Sequence, residues 1–346
     1  MDNKRVLLGM SGGVDSSVAA ILLQQQGYEV VGITFKMFDS DDDIFVDAKK
    51  VCDQLNIEHI PYNCQSTFKQ YVIDYFGQTY RKLETPNPCI ECNKYLKFGL
   101  MADLAKRHNC NYIATGHYAN VEYSEQYHHS VIKRSDSKKD QTYVLYSINA
   151  EVLDHILFPL ANFNSKDEIR QIAFDHHLDI ANKPDSEDIC FIPDGDYKKY
   201  LLENTAIKSN PGDIVLSDGT IVGKHQGLFR YTIGQRKGLG IAYEYPLYVI
   251  DFNQSKNQLI VGKKDDLFKT EIIVDDLNFH VNENFEDGYQ VLVKIRYAAP
   301  LTSAKLYHLD NQVKVILEKP QPSPTPGQSV VFYDNDILIG GGKIVR

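Results

Sequence analysis

No hydrophobic run in the 346 residues approaches the roughly 20 apolar positions that a membrane-spanning helix needs, so no membrane anchor is expected. A charged-then-apolar leader is lacking as well. Met1-Asp2-Asn3-Lys4-Arg5 leads directly into a strand-like run, which argues against a secretory signal and predicts a cytoplasmic protein. Cysteine is sparse, with six residues, and in that compartment they are expected as thiols or ligands rather than a disulfide framework. Positive charge is also short. Lys and Arg number 37 against 46 Asp and Glu, a net charge of −9 that disfavours a generally basic nucleic-acid-coating surface. A local basic strip is still compatible with it. Candidates are Arg81-Lys82, Lys94, Lys97, Lys133-Arg134, Lys138-Lys139, Arg236-Lys237, Lys294 and Arg296, while Asp39-Ser40-Asp41-Asp42-Asp43 reads as a solvated acidic loop. Internal repeats and low-complexity tracts are absent.

What is present is a soluble, globular composition, 43% hydrophobic and 24% charged, in a chain long enough for two or three domains. The most informative stretch is Gly9-Met10-Ser11-Gly12-Gly13-Val14-Asp15-Ser16-Ser17. It follows the apolar run Arg5-Val6-Leu7-Leu8 and precedes a helix-forming run closed by Gly27, a residue suited to the left-handed position past a helix end. Adjacent glycines let a backbone approach an anion closely. Asp and Ser are suited to cap the following helix, whose first amides and positive dipole end face the loop. A phosphate fits there. The Walker pattern would need Lys and then Ser or Thr after its last Gly, where Asp15-Ser16 stands, and the dinucleotide fingerprint spaces its glycines differently.

Three zones follow along the chain. Up to about residue 195, short β-branched runs alternate with helical stretches. Strands are expected at Glu29–Phe35, near Glu58–Ile60 and at Tyr112–Thr115, and helices at Val46–Leu55 and Phe98–Arg107. Such alternation predicts a doubly wound parallel sheet with its ligand outside the carboxyl ends of the strands, where Ser11-Gly12-Gly13 and Thr115-Gly116-His117 would converge. The second zone, 196–262, is rich in Gly and Tyr and reads as a small α+β unit. From 263 to 346, short alternating segments with Asp, Asn and Gly punctuation predict a closed β-barrel.

The cysteines carry a second chemical signal. Cys89-Ile90-Glu91-Cys92 follows Thr85-Pro86-Asn87-Pro88, whose prolines stiffen what is expected to be an exposed loop. Cys190 stands far along the chain, and Cys52, Cys64 and Cys110 read as small buried hydrophobes. Structural zinc would need a fourth ligand that is not evident, and a thioredoxin-type pair fits the Pro-Asn-Pro lead-in poorly. Sulfur chemistry remains, in which one thiol carries a persulfide and another resolves it.

Taken together, Gly9–Ser16, Thr85-Pro86-Asn87-Pro88 with Cys92-Asn93-Lys94, Thr115-Gly116-His117-Tyr118, Lys139-Asp140-Gln141-Thr142-Tyr143, Ile189-Cys190-Phe191-Ile192, Gly234-Gln235-Arg236-Lys237-Gly238-Leu239-Gly240 and Thr325-Pro326-Gly327-Gln328 resemble the bacterial tRNA-specific 2-thiouridylases. These are members of the PP-loop ATP pyrophosphatases, with an adenine nucleotide alpha hydrolase-like sheet, and the motif order runs through the whole chain. The resemblance implies ATP-dependent adenylation and 2-thiolation of the wobble uridine in tRNAs for Lys, Glu and Gln. It implies ATP contacts from Gly9, Met10, Ser11, Gly12, Gly13, Val14, Asp15, Ser16, Phe35 and Gly116, with Mg²⁺ screening the triphosphate. Cys190 would take sulfane sulfur from a donor protein, and Cys92 would release it as hydrosulfide or resolve the attack through a Cys92–Cys190 disulfide. Asn87, Pro88 and Cys89 would face the target base. His117, Lys139, Asp140, Gln141, Arg296, Tyr297 and Gln328 would contact tRNA.

One position departs from the family pattern. Many members carry Asp where this chain has Cys89, and an unperturbed thiol with pKa near 8.5 replaces a carboxylate base poorly. Two readings stay open: Cys89 is a bystander, or Cys89, Cys92 and Cys190 ligate an iron–sulfur cluster with one open iron. Other functional classes compatible with the loop are an amidotransferase-type synthetase, which would not need the cysteines, and a non-catalytic tRNA-binding paralogue.

Overall fold

The computed structural model describes residues 4–39, 44–135, 139–182, 189–281 and 283–346; Asp41, Asp42, Asp43 and Lys138 lie outside them. In chain order the first strands are β1 (Arg5–Gly9), β2 (Glu29–Lys36), β3 (Glu58–Asn63), β4 (Tyr112–Ala114), a hairpin of β5 (Asn120–Ser124) and β6 (His129–Lys133), and β7 (Ile156–Leu157). The helices are α1 (Val14–Gln25), α2 (Ile44–Leu55), α3 (Gln65–Phe68), α4 (Asp74–Arg81), α5 (Pro88–Cys92), α6 (Met101–Arg107), α7 (Lys166–Asp175) and α8 (Tyr197–Asn204).

All pairings in the sheet β3-β2-β1-β4-β7 are parallel. β1 is its middle strand, and Val6, Leu7 and Leu8 are fully buried because helices cover both faces. Alternation along the strand sends Val6 and Leu8 toward Val18, Ile21 and Ile169 of α1 and α7, and Leu7 toward Met101 and Leu104 of α6. The expected strands and helices are present, with shifted ends. One differs in kind: the Phe98–Arg107 helix continues from α5 through a π-helical stretch, Asn93–Leu100, before α6 begins. Gly99 sits in the wide turn, where a Cβ would stand 2.8 Å from the Lys94 carbonyl oxygen.

The central region combines α8 with a four-stranded sheet of β8 (Gly212–Val215), β9 (Ile221–His225), β10 (Tyr248–Asn253) and β11 (Gln258–Gly262) in the order β10-β11-β8-β9. The last region contains β12 (Phe268–Phe279), β13 (Tyr289–Lys294), β14 (Thr302–Leu309), β15 (Gln312–Pro322), β16 (Ser329–Asp334) and β17 (Ile337–Val345). These pair antiparallel as β12-β15-β14-β13-β16-β17, and β12 pairs again with β17, closing the barrel over Val293, Leu306, Val315 and Phe332.

The hairpin β5–β6 does not belong to the parallel sheet. It extends the barrel's sheet through Ile337 and Lys133, with the Arg134 amide bonded to the Asp336 carbonyl at 2.8 Å and Val131 entering the barrel core. Residues 142–148 seal the same junction. Tyr143 donates to the Ser329 carbonyl at 2.9 Å, and Asn278 donates to the carbonyls of Tyr146 and Ile148 at 2.7 and 2.9 Å. His280 Nε2 lies 2.9 Å from the Ile148 oxygen.

Candidate functional site

The glycine loop sits where β1 passes into α1. Gly12 adopts φ +69°, and a Cβ there would press at 2.9 Å on Cβ of Asp47 in α2, so the turn requires glycine. Capping differs from expectation. The N-cap is Gly13, which has no side chain to cap with, and the Ser16 and Ser17 hydroxyls, already inside the helix, turn back to donate to the Gly13 carbonyl at 3.1 and 2.9 Å. The Ser11 amide meets Ser16 Oγ at 3.2 Å, and the Gly13 amide meets Ser11 Oγ at 3.3 Å. The first-turn amides of α1 have no intrahelical acceptor and open at the loop, the arrangement that receives an anion.

Asp15 does not cap the helix either. Its carboxylate accepts from Tyr118 Oη at 2.8 Å and pairs with Lys166 Nζ at 2.5 Å. Met10 is 2% exposed, and its backbone is already bonded: its amide donates to the Ile33 carbonyl, and its carbonyl accepts from the Thr34 side-chain hydroxyl at 2.7 Å. Gly116 leaves β4 so close to α1 that a Cβ would stand 3.0 Å from Asp15 Cβ and 3.1 Å from the Ser16 amide nitrogen. Phe35, at the end of β2, packs edge-on against Tyr62 with centroids 5.9 Å apart.

The cysteine segment is a helix start and not an exposed loop. Pro86 and Pro88 are buried, the barrel's 325–328 turn bonds to the Thr85-Pro86 backbone, Pro88 opens α5, and the Asn87 side chain accepts from the Cys89 amide at 3.2 Å. Cys89 is exposed and Cys92 is buried, so the two thiols of the pair have different access. Cys92 shares an apolar cluster with Cys64, Phe68, Phe76 and Phe191, which places Phe191 and its neighbour Cys190 beside α5. Phe35 packs on this cluster too, joining the loop side of the sheet to the thiol side.

Burial pushes the Cys92 thiol up to about 12, with the Cys190 and Cys89 sulfurs adding to it and the positive charge of Lys97 opposing it. Burial likewise raises Cys190, which meets solvent on one side, against the same Lys97 charge. Lys97 also reinforces the effect of burial on His117, which is held neutral well below the usual histidine range. All six cysteines are free thiols, Cys52, Cys64 and Cys110 being buried as expected. Among the described residues no group of three His, Cys, Asp or Glu is placed to hold a metal, so of the two readings left open for Cys89 the iron–sulfur ligand set with Cys92 and Cys190 finds no support.

Several residues expected at the RNA surface are committed inward. His117 is buried, with Nδ1 2.7 Å from Thr115 Oγ1. Asp140 is buried and accepts from the Ser135 amide and Thr142 Oγ1. Gln141 Oε1 accepts from the Tyr118 amide at 2.9 Å, and Gln328 Nε2 donates to the Thr85 and Pro86 carbonyls at 3.0 and 3.4 Å. Lys139 is exposed. Tyr297 is 44% exposed, with its ring edge-on to Tyr143, and Arg296 reaches the Pro322 carbonyl at 3.3 Å. Sequence reasoning did not assign Tyr118, Lys166 or Lys97 to the site. Tyr118 lies in a motif already singled out, Lys97 was visible only as one basic residue among many, and nothing local marks Lys166.

A parallel sheet with a Ser-Gly-Gly loop between its middle strand and first helix, roofed by the exit of β4, defines a nucleotide-binding α/β domain of the PP-loop kind. Three family models match in succession: a "tRNA methyl transferase HUP domain" over residues 4–194, a "tRNA methyl transferase PRC-barrel domain" over 198–263 and an "Aminomethyltransferase beta-barrel domain" over 269–344. The chain is 43% identical to a tRNA-specific 2-thiouridylase of Clostridioides difficile over 99% of both chains. It is 45% identical to one of Clostridium beijerinckii over 99% of this chain and 98% of that one. A looser likeness, TM-score 0.33 at 19% identity over 53% of this chain and 69% of that chain, links it to an NH3-dependent NAD synthetase of Campylobacter jejuni. The chain belongs to the tRNA-specific 2-thiouridylase family.

Proposed function

We propose that this protein is an ATP-dependent tRNA-uridine 2-sulfurtransferase of the cytoplasm, acting on the wobble uridine of tRNAs for Lys, Glu and Gln. The observation that carries the reading is the meeting of an anion loop and a thiol pair at one edge of one sheet. Phe35 at the end of β2 packs on the cluster holding Cys92 and Phe191, while Gly116 lies against the first turn of α1. ATP would lie along Gly9–Ser16 and Gly116, its phosphates on the loop amides and α1 dipole, with Lys166 beside them. Magnesium would arrive with the triphosphate, since this ion is usually held by phosphates and water with few protein ligands.

In the first step the uracil O2 forms a bond to the α-phosphorus and pyrophosphate leaves. In the second, a sulfur nucleophile forms a bond to C2 and AMP departs with the former oxygen. That sulfur is carried on Cys190 as a persulfide from a donor protein. Attack of the Cys92 thiolate on the Cys190 sulfur breaks the sulfur–sulfur bond, leaves the transferred sulfur with its electron pair, and forms a Cys92–Cys190 disulfide. An external dithiol must then reduce that disulfide. The target base has to leave its stack to reach this edge. Asn87, Pro88 and Cys89 would face the flipped base, and Lys139, Arg296 and Tyr297 would contact the RNA. The inward-turned His117, Asp140, Gln141 and Gln328 would hold those contacts from behind. The three regions would divide the labour as catalysis (1–195), linkage (196–262) and tRNA docking (263–346).

The family descriptions speak of methyl transfer, which would require neither an ATP-cleaving loop nor paired thiols. The mass of the modified wobble nucleoside separates the two: exchange of oxygen for sulfur is expected, and addition of a methyl group would overturn the reading. Cys92→Ser and Cys190→Ser should each abolish sulfur incorporation while tRNA-dependent ATP–pyrophosphate exchange persists. Loss of exchange in both, or thiolation in either, would overturn the assignment of these thiols.

A further inference from the structure

The helix α5 is the start of a helical stretch that continues through Asn93–Leu100 into α6, and its thiol-bearing first turn is fixed from outside as well. Much of what holds it comes from the barrel. Lys343 on β17 places Nζ 2.8 Å from Glu91 Oε1 and 2.8 Å from Asp276 Oδ2, and 4.5 Å over the ring of Tyr75. Glu91 stands between Cys89 and Cys92 and is 5% exposed. A carboxylate at that depth persists with a charge partner, and Lys343 is its ion-pair partner among the described residues. A second tie runs alongside: the Thr85 amide donates to the Pro326 carbonyl at 2.8 Å and Gln328 donates to the Thr85 and Pro86 carbonyls. Gly327, at φ +87°, permits this approach, since a Cβ would stand 2.9 Å from the Thr85 amide nitrogen.

We propose that Lys343 is a positioning residue for Cys92: through Glu91 the last strand of the barrel sets where the thiol helix stands, so the barrel serves sulfur transfer as well as RNA docking. The proposal rests on the thiolation reading for its kinetic consequence, but the positioning itself can be read from thiol access alone.

The test uses full-length protein with Lys343→Met, Lys343→Arg, the double variant Glu91→Gln/Lys343→Met, which leaves no unpaired buried charge, and Gln328→Ala as the milder second tie. Three quantities are measured: tRNA-dependent ATP–pyrophosphate exchange, the kcat and KM for tRNA thiolation, and the alkylation rate of Cys92 followed by peptide mass spectrometry. In the double variant, kcat for thiolation should fall on the order of tenfold to a hundredfold, the scale of small misplacements of a reacting group, with KM for tRNA and exchange unchanged. Cys92 alkylation should speed up as its cover loosens, and Lys343→Arg should recover part of both. Unchanged alkylation and unchanged thiolation in the double variant would overturn the proposal. If Lys343 variants do not fold, Gln328→Ala decides on thiol access alone: Cys92 alkylation should speed up, by less than in the double variant, and a wild-type alkylation rate would overturn it. A wild-type protein that neither exchanges nor thiolates would refute the functional reading instead, and the alkylation rates would still decide the positioning.

Discussion

The phenol of Tyr118 donates a 2.8 Å hydrogen bond to Asp15, joining two residues 103 positions apart and fastening the exit of β4 to the first turn of α1. Lys166 completes the contact from α7, with its side chain 10% exposed. The start of α1, next to the anion loop, is thereby held from three elements.

Tyr118→Phe removes one hydrogen bond to a charged, partly buried acceptor, worth about 1.5–3 kcal/mol. The expected outcome is a lower unfolding midpoint in denaturant and weaker ATP binding by calorimetry, with thiol alkylation unchanged. Equal ATP affinity in the variant would show that the tie does not shape the loop.

Gly116→Ala puts a methyl group against the backbone of Asp15 and Ser16 at about 3 Å, where neither neighbour is a flexible side-chain end. Overpacking of this kind costs about 1–3 kcal/mol. Pyrophosphate exchange should collapse because β4 is pushed off the loop, and the KM for ATP should rise more than that for tRNA. A variant with wild-type exchange would mean that the close approach is not needed.

Lys97 is a cation that opposes the upward shift of both Cys92 and Cys190. Removing its charge in Lys97→Met should move the pH midpoint of Cys190 alkylation upward and slow the reaction at neutral pH, while Lys97→Arg should leave the midpoint close to wild type. Identical midpoints in all three proteins would remove Lys97 from the thiol chemistry.

His280 makes stability depend on pH with a definite sign. Burial lowers it from 6.5 to about 4, so between those values the unfolded chain takes up a proton that the folded chain refuses. Stability is full above pH 6.5 and falls as the pH drops toward about 4, by up to about 3 kcal/mol from this residue. His117 shifts in the same direction and acts with the same sign. Denaturant titrations from pH 7 to 4.5 should show the decline, and His280→Gln should flatten it.

The sequence made the loop legible because strand, glycines and helix are contiguous there, and local pattern suffices for contiguous elements. It also made the thiols legible, since Cys92 and Cys190 stand in recognisable runs. The contacts that set their chemistry were out of reach. Lys343 meets Glu91, Lys166 meets Asp15 and Gln328 meets Pro86 only after the chain has folded, and no periodicity marks such pairs. The wide turn at Asn93–Leu100 overlaps the expected helix only at Phe98–Leu100, too short a stretch for its change of period to show in the sequence. The burial of Pro86 and Pro88 was missed for a related reason: a Pro-rich segment looks like a surface loop until another region covers it.

The hairpin Asn120–Lys133 has one further consequence. A segment encoded among the elements of the parallel-sheet region ends as staves of the C-terminal cylinder, with Lys133 bridging Glu122 and Asp336 at 2.9 Å each. The two halves of the molecule therefore cannot be traded between relatives as cassettes cut at residue 195 or 262. A graft would have to carry this hairpin with the barrel it completes, or leave both with an open edge.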